Sequence, residues 1–384
     1  DLHKAPEWFL DAKFGMFIDW GLWSIAGWAP KKEKGAMYPD WYEKRMSEVG
    51  VMGDDSTFIK YHEKNWGEDF KRDDFIPLFQ AREYQPEKLI KLAKEAGMKY
   101  IIPFSKHHSG FCLWPSSVTQ RDAGDMGPKK DLIMPMVEYC RQEGLKFGFY
   151  FSLEEWEYPV IGDDNQLQTR VWGGKLKPFS YDLEKKASGK IAVKNYATDY
   201  LVPQAVEFID RYDPDILWYD GGWSTSVYEL RSYEIAAYFY NQAQGRKEVA
   251  VNDRYGLETD GKELRFRRGD FFNQEYGDRK DEVKQTDRVW EEDRGISQSF
   301  GFNWQDTEDN IPSAREFIQI FVDIVSRGGN LLLIVNLDGQ GALPDIQKKR
   351  LNEIGKWLSV NGEGIYGTRK DRKSTRLNSS HVSQ

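Results

Sequence analysis

The sequence predicts a (β/α)8 TIM-barrel-like domain with long loop insertions. Apolar runs typical of buried strands alternate with amphipathic runs typical of helices along most of the chain. Such alternation indicates a parallel sheet covered by helices. The connections are short, and the number of units suits a barrel of about 250 residues or more. A doubly wound open sheet is the alternative, but no stretch resembles the phosphate-binding glycine fingerprint of that fold.

The first predicted strand covers residues 14–21 and ends on Asp19-Trp20-Gly21. From residue 86 onward helices and strands alternate regularly, and several helices carry Pro near the start or Gly at the end, as helix boundaries often do. The predicted helices are residues 86–97, 131–144, 193–212, 228–244, 313–327 and 345–358. The further predicted strands are residues 98–104, 145–151, 215–219, 249–254, 270–272, 295–302 and 330–336.

Two segments depart from this regular pattern. Residues 29–73 are polar and rich in aromatics, and they include Tyr38-Pro39-Asp40-Trp41-Tyr42; loops this long are uncommon unless they serve a function. Residues 369–384 are basic, rich in Ser and Asn and without periodicity, which is typical of disorder. We therefore assign residues 1–367 to the barrel domain and residues 368–384 to a polar disordered tail that need not be native to it.

Composition excludes several classes of partner. The formal charge of −8 and the pI near 5.4 argue against nucleic acid and anionic membranes, because no net basic surface is available. No apolar run approaches the roughly 18 residues of a membrane span. Cys112 and Cys140 are too few for a disulfide framework or a structural zinc site. Aromatic residues make 15% of the chain, and their flat faces are a weak indication of a protein that stacks on sugars.

Nearly every predicted strand ends in polar or aromatic residues instead of simple turn residues. In a barrel, the C-terminal ends of the strands converge on one pocket. Carboxylates, neutral donors and aromatic walls favour a sugar site over a phosphate site. A metal site is not predicted, because His107 and His108 are adjacent and point in different directions. The strand-end residues are Asp19-Trp20, His107-His108, Glu154-Glu155-Trp156, Asp220, Asn252-Asp253-Arg254 and Glu275.

Two carboxylates suffice for glycoside hydrolysis. If they lie about 5–5.5 Å apart, one attacks the anomeric carbon, and the other protonates the leaving oxygen and later activates water. Asp220 is the candidate nucleophile, because it ends an apolar run and is flanked by Trp218 and Trp223; alone, it is equally typical of a helix cap or a turn. The acid needs its pKa raised by burial or by the nucleophile's charge. The candidates for the acid/base, in order of preference, are Glu275, Glu291, and Glu154 or Glu155.

Six motifs, spread in order over residues 6–367, resemble those of the α-L-fucosidases of glycoside hydrolase family 29. One such match has little meaning, whereas six in the same order make the resemblance specific. The motifs are WFLDAKFGMFIDWG at 8–21, KHHSGF at 106–111, LWYDGGW at 217–223, VNDR at 251–254, WE through SFG at 290–301 and GGNLLL at 328–333.

The resemblance implies a barrel catalytic domain that removes terminal α-L-fucose from fucosylated oligo- or polysaccharides, with retention and without a cofactor. It implies that Asp220 is the nucleophile and that Glu275 lies in the segment carrying the acid/base, a residue that the family places variably. The expected partner is a fucosylated glycan, and the expected location is secreted or periplasmic. The residues that fall where fucose contacts are expected are Trp41, His107, His108, Tyr150, Trp218, Arg254 and Phe300.

Three features depart from the family pattern. This chain has Asp19 where members usually carry His, and Ser109 where they usually carry Asp after the His pair. Asp19 offers two acceptors for sugar hydroxyls, or a partner that would raise the pKa of a His, so we count it as substrate-binding. Members usually carry a C-terminal β-sandwich, and this sequence is expected to stop where that domain would begin. Two alternatives stay open: a retaining glycosidase for another sugar, such as α-L-galactose or a substituted fucose, and a catalytically silent sugar-binding relative.

Overall fold

Eight parallel strands form one curled sheet in the computed structural model, which describes residues 3–32, 36–53, 56–179, 188–257, 268–277 and 288–370. The strands of the described residues are β1 (Phe14–Asp19), β2 (Tyr100–Lys106), β3 (Lys146–Ser152), β4 (Glu157–Ile161), β5 (Leu167–Val171), β6 (Leu176–Pro178), β7 (Ile216–Asp220), β8 (Ala250–Val251), β9 (Phe272–Glu275), β10 (Trp290–Gly295) and β11 (Gly329–Asn336). The order across the large sheet is β8-β7-β3-β2-β1-β11-β10-β9. The predicted (β/α)8-like barrel is confirmed.

The two edge strands of this sheet, β8 and β9, are joined by hydrogen bonds between residues in and next to them. The Asp270 N–H donates to the Val251 carbonyl at 2.7 Å, and the Val251 N–H donates to Asp270 Oδ2 at 2.8 Å. One level higher, the Asn273 N–H donates to Asp253 Oδ1 at 3.1 Å. Two carboxylates therefore replace part of the backbone ladder at this seam, where β8 has only two residues.

Helices follow the strands as the alternating pattern predicts. The helix Ala314–Ser326 shows how the sequence sets a boundary: the Ser313 hydroxyl accepts from the Glu316 N–H, and the Glu316 carboxylate accepts from the Ser313 N–H. This reciprocal pair is a capping box. The helices that correspond to the six predicted ones are Pro86–Glu95, Met134–Glu143, Val202–Tyr212, Ser232–Ala243, Ala314–Ser326 and Asp345–Asn361.

Two of the predicted strands are misplaced. Residues 295–302 do not form a strand; the strand there is β10, whose sequence Trp-Glu-Glu-Asp-Arg-Gly lacks the apolar run used to find strands. The strand predicted at 270–272 begins later, because β9 covers Phe272–Glu275. Both errors have one cause: polar side chains on both faces of β9 and β10 are buried and form hydrogen bonds with one another, so these strands lack an apolar run.

The insertions also carry structure that the sequence pattern did not predict. Strands β4 to β6 form a separate antiparallel sheet after β3. The predicted tail begins within the described residues, but its positions 371–384 lie outside them. Residues 29–73, predicted as loop excursions, contain short helices instead. These helical pieces are Pro39–Trp41, Tyr42–Arg45, Val51–Gly53, Thr57–Asn65 and the start of Arg72–Leu78.

Glu157 links these two insertions through a buried ionic contact. Its carboxylate accepts from Lys44 Nζ at 2.9 Å and from Arg72 Nη1 at 2.7 Å. The Arg72 guanidinium is almost fully buried and lies 5.1 Å from the centre of the Trp156 ring. Burial acts to raise the pKa of Glu157, but the charges of Arg72 and Lys44 outweigh it and hold that pKa well below its usual range. The Glu157 carboxylate is therefore ionised, and it neutralises the buried charge of Arg72.

Replacing Glu157 by Ala should destabilise the protein strongly. The substitution leaves the buried Arg72 charge without its carboxylate, which lowers the free energy of unfolding by about 3–5 kcal/mol. Urea unfolding measures this change. Glu87→Ala is the control, because its pair with Lys91 lies on the surface and should barely alter the midpoint. Equal midpoints for the two variants would contradict the prediction.

Glu291 lies inside the barrel on β10, fully buried. Its Oε2 accepts from the Tyr100 hydroxyl at 2.6 Å and its Oε1 accepts from Trp218 Nε1 at 2.9 Å. Burial raises the pKa of Glu291 to about 7 from an ordinary 4.5, against the opposing effect of these hydrogen bonds. The carboxyl group therefore holds together three strands of the barrel core.

Glu291 should make the stability of the protein fall as pH rises. A carboxyl whose folded pKa is raised stabilises the fold fully below its unfolded pKa, and this contribution is lost as the pH rises through the folded pKa. Between pH 4.5 and 7 the loss is about 3 kcal/mol. Glu291→Gln does not ionise, so its free energy of unfolding should fall less over that range, whereas the exposed control Glu95→Gln should follow the wild type. Parallel curves for Glu291→Gln and wild type would refute this assignment.

Candidate active site

One cavity of about 480 Å3 opens at the C-terminal ends of the barrel strands, which is the end where barrels carry their chemistry. Eight of the ten predicted site residues line it: Trp41, His107, Tyr150, Trp218, Asp220, Arg254, Glu275 and Phe300. The other two, Asp19 and His108, lie behind its wall. The remaining lining residues are Phe17, Tyr38, Asp40, Val51, Met52, Phe104, Trp223 and Asp293.

Four buried aromatic rings form the floor of the cavity. Tyr150 stacks parallel to Phe104, with ring centres 4.1 Å apart. Phe17 lies 4.5 Å from Phe104 and 4.8 Å from Trp218. The rings come from the four neighbouring strands β1, β2, β3 and β7, so the sheet itself fixes their spacing. The floor is an apolar, preorganised surface of the kind that packs against a ligand's C–H groups.

A single guanidinium connects the two predicted catalytic carboxylates. Arg254 Nη1 donates to Asp220 Oδ1 at 2.9 Å, and Nη2 donates to Glu275 Oε1 at 2.7 Å. Nε and Nη2 also donate to Asn273 Oδ1, at 3.0 and 2.5 Å. Burial acts against the charge, but Glu275 and Asp220 outweigh it and raise the pKa of Arg254 well above its ordinary value. The charged guanidinium therefore fixes both carboxylates relative to one another.

Asp220 is held from a second side as well. Its Oδ2 accepts from the Tyr150 hydroxyl at 2.7 Å. The chain then turns at Gly221 with φ of +75°, where a Cβ atom would lie 2.8 Å from Ser152 Oγ. Only glycine fits this turn without strain. The carboxylate thus projects from the end of β7 with both oxygens bonded and little freedom to rotate.

The two adjacent histidines are neutral. Burial first, and the neighbouring His108 second, lower the pKa of His107 well below its ordinary value. Burial and Lys106 lower the pKa of His108 to about 3. Their contacts of 3.6 Å (His107 Nε2 to Asp40 Oδ2) and 3.7 Å (His108 Nε2 to Asp220 Oδ2) are therefore not ion pairs. Neutral imidazoles can both donate and accept hydrogen bonds, which suits hydroxyl groups.

Loops from opposite sides of the barrel complete the walls. Phe300 and Tyr38 stack with ring centres 5.1 Å apart, held by the bond from the Phe300 N–H to the Met37 carbonyl at 2.8 Å. On the other side, Trp41 lies parallel to Trp223 at 6.3 Å. The long segment near residue 40 thus supplies aromatic wall residues, which gives its unusual length a structural role.

Asp19 does not reach the cavity. Its Oδ1 accepts from Trp23 Nε1 at 2.7 Å, and burial first, then Asp40, raise the pKa of Asp19 well above its ordinary value. Asp40 does line the cavity, and burial likewise raises its pKa. Sequence reasoning omitted Asp40, although a carboxylate within the Tyr-Pro-Asp-Trp-Tyr run was visible. It also omitted Asp293, because β10 was not recognised as a strand.

The alternative acid/base candidates lie outside the cavity. Glu291 is bonded inside the barrel, as described above. Glu155 is fully buried in an ionic cluster with Lys106 at 3.3 Å and Lys190 at 2.5 Å, and these charges outweigh burial to lower its pKa. Glu154 accepts from the Gly173 N–H at 2.8 Å, and burial raises its pKa to about 7. Among the four candidate glutamates, Glu275 is the one that bonds to Arg254, the residue that also bonds to Asp220.

Other candidate sites in the described residues are less developed. A larger cavity of about 650 Å3 lies against β4 to β6 and the segment 228–234, but none of the ten predicted site residues lines it. No group of three or more potential metal ligands occurs in the part of the chain that the structure describes. In the same part of the chain, no helix combines the length and apolar character needed to cross a membrane.

Comparisons with known proteins point to one family. The profile of the family described as Alpha-L-fucosidase matches residues 1–363. A tissue α-L-fucosidase of Rattus norvegicus is 30% identical over 384 residues, covering 100% of this chain and 74% of the rat protein. The crystal structure of Thermotoga maritima α-fucosidase superposes with a TM-score of 0.74 at 36% identity, covering 96% of this chain and 77% of that one. A structure of that enzyme in complex with fucose gives 0.73 at 34% identity, with coverages of 96% and 77%. The chain therefore belongs to the α-L-fucosidase family of glycoside hydrolases.

Proposed function

We propose that this protein is a retaining exo-glycosidase that removes terminal α-L-fucose from fucosylated oligo- or polysaccharides. The observation that carries the proposal is the pair of carboxylates, Asp220 and Glu275, held by one guanidinium above an aromatic floor. The cavity is small and lined on several sides, which favours one terminal sugar over an internal unit of a polymer. Because such glycans are displayed outside cells, the proposal includes a secreted or periplasmic location.

In the first step, Asp220 attacks the anomeric carbon while Glu275 gives its proton to the glycosidic oxygen, so that the bond to the leaving group breaks. In the second step, Glu275 takes a proton from water, and the resulting hydroxide displaces Asp220 from the sugar. Arg254 supports both steps, because it bonds to Asp220 and to Glu275 and holds the two groups in place. Tyr150 donates to Asp220 and keeps the attacking group oriented.

The proposed sugar contacts follow from the chemistry of the walls. Neutral His107, with His108 behind it, can hydrogen-bond hydroxyl groups, and Trp41, Trp218 and Phe300 can pack on the C–H faces and the C5 methyl group of fucose. The cavity presents several carboxyl groups and one arginine already bonded to two of them. It therefore favours a neutral sugar over a sulfated or carboxylated one. Asp19 acts indirectly in this proposal, through its position beside Asp40.

Asp220→Ala and Glu275→Ala should separate the two catalytic roles. We expect Asp220→Ala to lower kcat/KM for an aryl α-L-fucoside on the order of 10⁴-fold, since it removes the covalent step. With azide added, Glu275→Ala should yield the retained α-fucosyl azide, because azide attacks the glycosyl-enzyme, whereas Asp220→Ala should yield the inverted β-fucosyl azide. NMR of the products distinguishes the anomers. Glu207→Ala, outside the cavity, is the control.

The outcome also decides between the proposal and its alternatives. Wild-type activity in Asp220→Ala would remove the nucleophile assignment, and wild-type activity in Glu275→Ala would remove the acid/base assignment. A panel of aryl α-L-glycosides tests the sugar: faster turnover of the α-L-galactoside than of the fucoside would favour the alternative sugar. Fucose binding without turnover of any substrate would identify a sugar-binding relative.

A further inference from the structure

Asp293 is a third carboxyl group beside the proposed acid/base. It lies in the C-terminal half of β10, and its Cα pairs in register with that of Glu275 on β9. Paired positions of adjacent strands lie about 4.8 Å apart and direct their side chains to the same face, here into the barrel. Asp293 lines the cavity but is almost completely buried, whereas Glu275 is 28% exposed. The two carboxyl groups are therefore neighbours, with Asp293 buried and Glu275 accessible from the cavity.

The hydrogen bonds of Asp293 are asymmetric. Its Oδ1 accepts from Asn273 Nδ2 at 2.8 Å. Its Oδ2 is buried and has no hydrogen-bond partner among the described residues. Arg254 Nη2 lies 3.9 Å from Oδ1, beyond hydrogen-bond distance, and its hydrogens are directed at Asn273 and Glu275 instead. A buried carboxylate without a cationic donor is unstable relative to its protonated form.

The carboxyl groups near Asp293 also disfavour its ionised form, whereas Arg254 opposes them. Glu275 on β9 faces it and Glu291 lies two residues before it on β10; Arg254, beyond β8, supplies positive charge, and the paired position on β11 is the apolar Leu332. Burial first, and the charge of Glu275 second, raise the pKa of Asp293 well above its ordinary value despite Arg254. Of its two oxygens, Oδ2 is the one without a partner, so it is the oxygen free to carry a proton and to donate it in a hydrogen bond.

We propose that Asp293 is a neutral carboxylic acid that positions Glu275 by donating a hydrogen bond to it. This inference rests on the proposed role of Glu275. Asp293 keeps its own proton throughout: in the first step the proton that moves to the glycosidic oxygen comes from Glu275, and in the second step Glu275 regains one from water. A neutral donor favours the ionised form of Glu275 more than the protonated form, so it assists transfer of the proton to the leaving group.

The protonation of Asp293 can be tested without measuring activity. If Asp293 is neutral in the fold, folding takes up a proton above the unfolded pKa, and the stability of the wild type falls as pH rises toward the folded pKa. Asp293→Asn has the shape of the neutral acid and does not titrate. The Tm of Asp293→Asn minus that of the wild type should therefore grow by at least about 2 °C between pH 5 and 8. A difference that stays constant or shrinks would overturn the proposal.

The positioning role is tested by comparing kcat/KM on two substrates whose leaving groups differ in their need for acid assistance. Asp293→Asn retains a donor, so its kcat/KM should fall no more than about threefold. Asp293→Leu has no donor, and on phenyl α-L-fucoside, whose leaving group needs an acid, its kcat/KM should fall at least about 30-fold. On the 2-chloro-4-nitrophenyl fucoside, which needs little acid assistance, the fall should be about tenfold smaller.

Structural damage would lower both rates of Asp293→Leu alike, and that result overturns the positioning role. If Asp293→Leu does not fold, Asp293→Ala takes its place with the same two substrates. Failure of the proposed function gives a different result, because Glu275→Ala itself then retains wild-type activity on the phenyl fucoside. The pH dependence of the Tm of Asp293→Asn still reports the protonation of Asp293 in that case.

Discussion

The bonding of the Arg254 guanidinium is the interaction on which the rest of the site depends. Four carboxyl groups of the described residues line one cavity, and this guanidinium donates to two of them directly. It places one positive charge between Asp220 and Glu275, which lie on different strands. The other two, Asp40 and Asp293, receive no such donor among the described contacts, and burial raises their pKa values. Two of the four carboxyl groups in the cavity thus share one guanidinium, whereas the other two do not contact it within hydrogen-bond distance.

The barrel explains how residues far apart in the chain meet at this guanidinium. Parallel strands end at one face, so Tyr150, Asp220 and Glu275 reach the same cavity from three strands. The insertions form the side walls of the cavity. The ion pairs of Glu157 that link them lie outside the lining of the cavity. Strand ends therefore determine where the reacting groups lie, whereas loops determine the shape of the space above them. This division lets the walls vary without altering the carboxylate pair.

Much of the fold and part of the site could be predicted from the sequence. Apolar strands such as β7 and the periodic helices were predictable, because burial in apolar contacts leaves a regular pattern. β10 was not, since its buried side chains are satisfied by hydrogen bonds to partners such as Tyr100 that are distant in sequence. For the same reason the sequence could not separate Glu275 from Glu291. Asp293 and Asp40 needed coordinates, because a carboxyl group's role depends on which donors surround it.

The seam between β8 and β9 gives the two proposed catalytic groups different mechanical settings. Asp220 ends a strand that is paired along β3 over five residues and is tied to β8 as well. Glu275 ends a four-residue strand at the edge of the sheet, joined across the seam by side-chain carboxylates. Edges with fewer backbone bonds open more easily than the centre of a sheet. The proposed nucleophile thus ends a strand that is paired on both sides, and the proposed acid/base ends a short strand at the edge of the sheet. The guanidinium of Arg254, bonded to both groups, therefore bridges a well-paired strand and an edge strand of the same barrel.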